Sequence, residues 1–462
     1  MPATPLEQEM ESWRILLFGR EGEELLLFRG VSGLRLPELH IPRWQRPAPL
    51  LNAEAERLWK VKTVCVSPLG ISGPSRPDSE KYYVMEVLDP KELARIAPNF
   101  VTLSAVREDS FARVADYAAM LQIMEQGRNS EGNGRGTPFA DLGSFRRISS
   151  WVERQLSPLG LHWDGSFQQF HADASFALIR FSTSQKAYWF KAVGEPNLRE
   201  LPVTLVLAAR FPQHVPQPLG VHAEWNAWLT PEAEGQALSL STSPAEWHRA
   251  AESLAELQVA SIQHAPDILA AGARDVRSQH LVELAASFFC AMERTMEVQT
   301  KTGPQKLSRQ EIAKVCNQVK NVLRQLDDAG IPDTLNHLDL NPDNVFTAAS
   351  RSTFLDWAEA AVGNPFLSFE YVRQHFLRKF PRAGDIDGQL RDSYRKPWIR
   401  LLPDMAVEKA LPLIPLAAVF AYTSALPWDD ASLNRKLHLA GHLRSMVRRM
   451  HHEVQQLESR AA

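Results

Sequence analysis

An asymmetry of periodicity is the feature that most restricts the fold. Residues 165–194, GSFQQFHADASFALIRFSTSQKAYWFKAVG, run as short alternating apolar stretches. From about residue 243 to the end, nearly every segment spaces its apolar residues as a helix does. A chain that is β-rich first and helical afterwards buries both patterns best in two lobes, a small antiparallel sheet and a larger helical body. The helical pattern is interrupted around 333–357. There HLDLNPDN (337–344) gathers Asn, Asp and Pro, the material of a surface turn or of a loop that does chemistry.

Upstream, residues 12–125 read as a mixed α/β segment. SWRILLFG and ELLLFRGV flank REGE as a hairpin would, AEAERLWKVK has helical spacing, VKTVCVSP and KYYVMEVL read as strands, and SFARVADYAAMLQIME reads as a helix. QGRNSEGNGRGTP, 126–138, is polar and Gly-rich with no apolar period, and is expected to be a linker. The expected domains are 1–125, an α/β unit; 139–242, the β-rich lobe and the hinge strand leaving it; and 243–462, the helical lobe. The expected fold class is α+β.

With 462 residues the chain is too long for one ordinary core. A net charge of −3 argues against a general nucleic-acid or membrane-surface binder, so no nucleic acid and no membrane are expected as partners. MPATPLEQEMESW is acidic and lacks the apolar stretch of a signal peptide. Cys65, Cys290 and Cys316 lie far apart and form no disulfide or zinc pattern, and a reduced cytoplasm is the expected location. ALPLIPLAAVFAYTSALPW, 410–428, is the most apolar run, but its prolines leave too short an unbroken stretch to span a bilayer; a buried helix is expected.

Downstream of HLDLNPDN comes STFLDWAEAAVGNP, in which the apolar run TFLDW ends in Asp356. A carboxylate at the end of a buried strand needs a cation or hydrogen bonds to compensate it, and Mg²⁺ is one compensator. Phosphoryl transfer needs a carboxylate to position the attacking hydroxyl, oxygen ligands for Mg²⁺, and a cation on the phosphates. Asp339 suits the first role, and Asn344 and Asp356 the second; H-x-D, four residues and Asn is kinase-like spacing. Lys191, in the aromatic strand YWFKAV, protects a sheet edge or is the cation. Glu200, in the first turn of the next helix, pairs with Lys191 or, with Asn197 at capping-box spacing, serves the helix N-terminus.

Residues 140–460 resemble the phosphotransferase family of aminoglycoside and choline kinases, which have a bilobal protein-kinase-like fold. HLDLNPDN resembles the family's catalytic loop, FLDW its metal strand, GNP (363–365) the turn that follows, YWFKAV its phosphate lysine, and NAWLTPEAEG (226–235) its hinge strand. The resemblance implies ATP and Mg as cofactors and a small-molecule hydroxyl as acceptor, with direct in-line transfer. It implies Asp339 as base with His337 bracing the catalytic loop, and Asn344 and Asp356 as metal ligands. Lys191, partnered by Glu200, would bind phosphates, and Thr230, Glu232 and Ala233 would meet adenine through backbone groups. Leu338 and Asn364 depart from the Gly and Asp common in the family, and no G-x-G-x-x-G occurs. The turn in FHADASFALIRF would cover the phosphates instead, with Ser175 and the 172–175 amides as donors.

Across 370–404, eight basic residues (Arg373, Arg378, Lys379, Arg382, Arg391, Arg395, Lys396, Arg400) face five acidic ones (Glu370, Asp385, Asp387, Asp392, Asp404). The balance suits a neutral or anionic acceptor better than a polycation, unless the charges form a solvated helix face. Residues 12–125 faintly resemble a Nudix-type fold, but Glu54 and Glu56 are too few for its metal-binding helix, so hydrolysis is not expected. PRWQR (42–46) is expected to pack on the kinase-like lobe rather than meet a ligand. Alternatives to a small-molecule kinase are a silent pseudokinase with a ligand-sensing N-terminal domain, and the same fold transferring AMP or phosphorylating a protein.

Overall fold

A computed structural model describes residues 9–19, 24–69, 81–89, 99–133, 139–349, 351–381, 385–429 and 437–461. The chain divides into two compact units, one of residues 1–201 and 218–232, the other of 202–217 and 233–462.

The first unit contains two sheets. In the N-terminal sheet, strand Met10–Phe18 pairs in parallel with Tyr82–Val87 and antiparallel with Glu38–Pro42 and Glu24–Leu26. Its run Ile15–Phe18 is buried at every position because both faces of the sheet are covered. Ile15 and Leu17 join a cluster with Ala48, Leu51 and Ala55 of helix Pro47–Trp59. Leu16 and Phe18 join Ala119, Met120 and Ile123 of helix Val114–Asn133. The expected hairpin pairs Phe18 with Leu25, while its REGE turn lies outside the described residues. Helix Val114–Asn133 runs well into the stretch read as linker. Its buried upstream half secures the helix, and backbone hydrogen bonding carries it further. Residues 134–138 lie outside the described residues.

The second sheet of this unit is antiparallel, in the order Gly220–His222, Ala227–Pro231, Ala187–Val193, Phe176–Thr183, Trp163–Ala172. Helix Ser144–Leu156 covers one face through Phe145, Ile148, Trp151, Val152 and Leu156. The N-terminal sheet joins this one along strand Trp163–Ala172. The Gln169 side chain mimics a backbone partner there: its Oε1 accepts from Cys65 N–H (2.8 Å) and Asn52 Nδ2 (2.9 Å), and its Nε2 donates to Cys65 C=O (2.7 Å). The Tyr83 hydroxyl donates to Ala172 C=O (2.5 Å). The Trp44 side chain of PRWQR does not pack on the kinase-like lobe, contrary to expectation. Trp44 is 86% exposed, with the Arg43 guanidinium over its ring.

The second unit is mainly helical around one large core. Helix Ile414–Ser424, from the most apolar run, is buried in it. No described helix is long and apolar enough to cross a membrane. Two three-stranded sheets interrupt the helices. One has the order Arg274–Val276, Ala360–Gly363, Thr334–His337; the other has Gln236–Ala237, Val345–Thr347, Ser352–Phe354. Together they carry the 337–356 segment.

Candidate active site

Strand Thr334–His337 is buried throughout, and the chain leaves it directly into HLDLNPDN. Leu338 and Leu340 are buried, so the alternation between them turns Asp339 out to an exposed position. Leu338 thus fills core space as an apolar anchor. Pro342 starts the short turn Pro342–Asn344, which Asn341 caps by accepting from Asp343 N–H at 3.2 Å. The Asp343 carboxylate accepts from the Ser239 hydroxyl and belongs to the scaffold of this loop.

His337 is 1% exposed. Its Nε2–H donates to Leu355 C=O at 3.0 Å, which leaves Nδ1 to accept from Asp339 N–H at 3.3 Å. The ring also packs on Trp357, with centroids 5.0 Å apart. Burial pushes its pKa down, against the raising effect of Leu355 C=O and the Asp356 and Asp339 charges, so the ring is neutral. Grouped by sequence with Asp339, His337 is a positioning residue, since both ring nitrogens are committed within the protein.

Hairpin Val345–Thr347/Ser352–Phe354 pairs Val345 with Phe354, and Leu355 N–H donates to Asn344 C=O at 2.8 Å. That register brings Asn344 and Asp356 to the same end of the hairpin. The expectation of an acid closing a buried strand is corrected here: the strand stops at Phe354, and Asp356 is exposed. Phe354 and Trp357 take the core positions on either side, so the chain must turn between them. It does so with Asp356 in the left-handed region, φ 62° and ψ 66°. A non-glycine residue held there costs about 1–3 kcal/mol, and such positions cluster at functional sites. Asn344 and Asp356 present oxygen donors only, which suits Mg²⁺, an ion that takes one or two protein ligands and completes its shell with phosphate and water. Among the described residues there is no cluster of three or more His, Cys, Asp or Glu that would form a self-sufficient metal cage.

The remaining predicted residues, apart from Ala233, fall in the first unit. In strand Ala187–Val193, Tyr188, Phe190 and Ala192 enter the core and alternation puts Lys191 on the other face. Its Nζ reaches Glu200 Oε1 at 2.5 Å and lies 5.8 Å from the Trp228 ring centroid. Glu200 is 2% exposed, so this ion pair is shielded from water on the carboxylate side. Ser175 was expected to meet the phosphates. Its N–H and hydroxyl both donate to Asp173 Oδ1, at 2.7 and 2.5 Å. Both Ser175 donors are thus met within the turn. Burial raises the Asp173 pKa, but bonds from His171 (2.8 Å) and Ser175 outweigh it and hold the carboxyl well below its usual range. Gly194 N–H donates to Ser175 C=O at 2.7 Å, and a Cβ on Gly194 would meet Ala174 O at 2.2 Å, so this close approach requires glycine.

Thr230 lies in strand Ala227–Pro231, opposite Trp189. Glu232 was expected to meet adenine through backbone groups. Its N–H donates to Ala187 C=O at 3.0 Å, and its carboxylate holds Arg180 at 2.6 and 2.9 Å and the Trp189 indole at 3.2 Å. Its amide and its carboxylate are thus met within the first unit. Ala233 opens the second unit.

Beside Asp339 the second unit has a cavity of about 290 Å³. Helix Phe366–Lys379 contributes Glu370, Tyr371, Gln374, His375 and Arg378. Helix Ile414–Ser424 adds Tyr422, and helix Leu437–Ala461 adds His442, Met446 and Arg449; sequence reading did not single out these residues. Their helical spacing is visible in sequence, but nothing local says that they face Asp339. The Tyr371 hydroxyl donates to Asp339 Oδ1 at 3.3 Å. Burial first, then the Asp339 charge, pushes the Tyr371 pKa up, so it stays a donor.

The basic excess across 370–404 largely disappears into ion pairs. Arg373 is held by Glu370 (3.0 Å) and Asp387 (2.6 Å), Arg391 by Asp387 (2.7 Å), Arg395 by Glu408 (2.7 Å) and Lys396 by Glu252 (3.1 Å). Arg382 lies outside the described residues.

Residues 166–385 match the phosphotransferase enzyme family. No curated protein is similar in sequence. Among solved structures, the choline kinase of Cryptosporidium parvum is similar at TM-score 0.50 and 8% identity, over 69% of this chain and 97% of that one. This likeness shows a shared fold. A macrolide 2'-phosphotransferase from Brachybacterium faecium (TM-score 0.44, 15% identity, 65% and 98% covered) and an ethanolamine kinase from Plasmodium vivax (0.43, 11%, 63% and 82%) are also similar.

Proposed function

We propose that this chain, whose residues 166–385 match the phosphotransferase enzyme family, is a kinase with an alcohol group as acceptor that transfers the γ-phosphoryl group of ATP to a hydroxyl of a small molecule. The observation that carries the proposal is the 337–356 segment. It sets an exposed Asp339, braced by a buried neutral His337, beside the paired oxygen donors Asn344 and Asp356.

Asp339 accepts the proton of the attacking hydroxyl and orients its oxygen. Tyr371 donates to one Asp339 oxygen and leaves the other for the acceptor. The acceptor oxygen forms a bond to the γ-phosphorus, the bond to the β,γ-bridging oxygen breaks, ADP departs, and the proton passes through Asp339 to solvent. Lys191, held extended by Glu200, supplies positive charge to the phosphates. Asn344 and Asp356 would hold Mg²⁺, which when bound neutralises developing phosphate charge. Thr230, Glu232 and Ala233 would meet adenine through backbone groups. The location in the cell we propose is the cytoplasm, where ATP is available.

The test pairs two variants. Asp339→Ala is expected to lose transfer by about 10²–10⁴-fold while keeping Mg²⁺-dependent ATP binding. Asp356→Ala is expected to lose the metal-dependent thermal shift that ATP gives the wild type. A wild type that shows no such shift, or an Asp339→Ala variant with unchanged turnover, rejects the proposal.

A further inference from the structure

We infer that the acceptor carries an anionic group, a carboxylate or a phosphate, on an apolar body, and that Arg378 and Arg449 recognise it; this rests on the kinase reading above. Charge accounting in the cavity beside Asp339 carries the inference. Its charged lining residues are Asp339, Glu370, Arg378 and Arg449. Glu370 is answered inside the protein: its side chain is 8% exposed, Arg373 lies 3.0 Å away, and Gln374 donates to it at 2.6 Å. Arg373 is in turn fixed by Asp387. Asp339 is committed to the acceptor hydroxyl. Arg378 and Arg449 remain, and among the described residues neither pairs with a carboxylate; Arg378 donates only to Gln374 C=O, at 3.1 Å. A cationic acceptor would face two guanidinium groups with one carboxylate to offset them, whereas an anion meets fork-shaped donors suited to carboxylate or phosphate.

The helices also bring both arginines to the cavity wall. The Asp339 end of the cavity is marked by Tyr371, whose hydroxyl touches Asp339. Tyr422 is 6.3 Å from the Tyr371 ring, and His442 is 6.2 Å from Tyr422. Arg378 lies seven residues beyond Tyr371 on one helix, and Arg449 seven beyond His442 on the other. Seven residues are two turns, so each arginine lies on the same face of its helix as the residue that lines the cavity before it. The rest of the wall includes Tyr371, Ala418, Val419, Tyr422 and Met446, a surface for an aromatic or aliphatic body. A volume of about 290 Å³ admits a small metabolite.

The experiment compares acceptors that share one body: 4-(2-hydroxyethyl)benzoate, its carboxamide, and the corresponding benzylamine. A further arm carries a phosphomonoester in place of the carboxylate. Phosphorylated product is measured by mass spectrometry, and kcat/KM by ADP release. The expected order is anionic above neutral above cationic, and the better of the carboxylate and phosphate arms identifies the anion. Arg378→Gln and Arg449→Gln, both at exposed positions, are each expected to raise KM for the anionic probe by about 10- to 100-fold, with kcat and the carboxamide rate little changed. The inference is overturned if the neutral or cationic probe is used as well as the anionic ones, or if neither arginine variant alters the preference. It is also overturned if no anionic probe is phosphorylated by enzyme that binds ATP and Mg²⁺. Loss of that nucleotide binding in the wild type would instead count against the kinase reading itself.

Discussion

Replacing His337 with alanine removes a side chain that ties the 337–344 loop to the turn at Leu355–Trp357. The imidazole is buried, so water does not take its place. Leu355 C=O loses its donor at 3.0 Å, Asp339 N–H loses its acceptor at 3.3 Å, and Trp357 loses a packing neighbour. A buried polar group left unsatisfied costs about 1–3 kcal/mol, and two such groups with the lost packing give about 2–5 kcal/mol. For a urea slope of about 3 kcal/mol per M, the unfolding midpoint of the second unit falls by about 1 M, read by tryptophan fluorescence. Turnover falls in the same variant because Asp339 is no longer held, while ATP affinity is retained. His337→Gln, which restores a donor, recovers part of both losses. The acid limb supplies an independent readout. The folded-state pKa of His337 lies below the ordinary histidine value of about 6.5, so the unfolded chain binds the proton first. Stability is thus fully present above about pH 6.5 and declines as pH falls from there toward the lowered pKa. His214, His248 and His375, also lowered mainly by burial, add to that decline, and His337→Gln makes it shallower. A His337→Ala protein with unchanged midpoint and unchanged turnover would refute the bracing role.

Lys191→Met removes the ammonium group that lies 2.5 Å from the buried Glu200 carboxylate. It should cost about 3–5 kcal/mol in thermal stability and abolish ATP binding, with stability but not binding regained in Lys191→Met/Glu200→Leu; an unchanged Tm in the single variant would contradict the pairing. Ser175→Ala should leave ATP affinity within about threefold of wild type, because the Ser175 donors are spent on Asp173, and a loss of tenfold or more by calorimetry would return Ser175 to the phosphates. Gln169→Ala orphans Cys65 N–H and C=O, so the first unit should lose about 2–5 kcal/mol and the N-terminal sheet should become accessible to limited proteolysis, an effect absent if the seam is held by packing alone.

The close grouping of the candidate residues in the 337–356 segment was legible in the sequence because it is local. The spacing of His337, Asp339, Asn344 and Asp356 within one short stretch follows from a strand, a proline turn and a hairpin, each with its own composition signal. The same holds for Lys191, whose position in an aromatic strand fixes its face by simple alternation. Three things were decided only by the tertiary structure. Glu232 has the right place for a nucleotide contact, but the partners of its amide and carboxylate, Ala187 and Arg180, depend on how the strands pair. The charges across 370–404 could be counted but not paired, since Glu252 lies far away in sequence from Lys396. Arg449 becomes a candidate specificity residue only because the C-terminal helix brings it to the cavity beside Asp339. Periodicity reports which face of an element is buried; it carries no record of which distant element covers that face, and in this chain that long-range packing decides which charges remain for the acceptor.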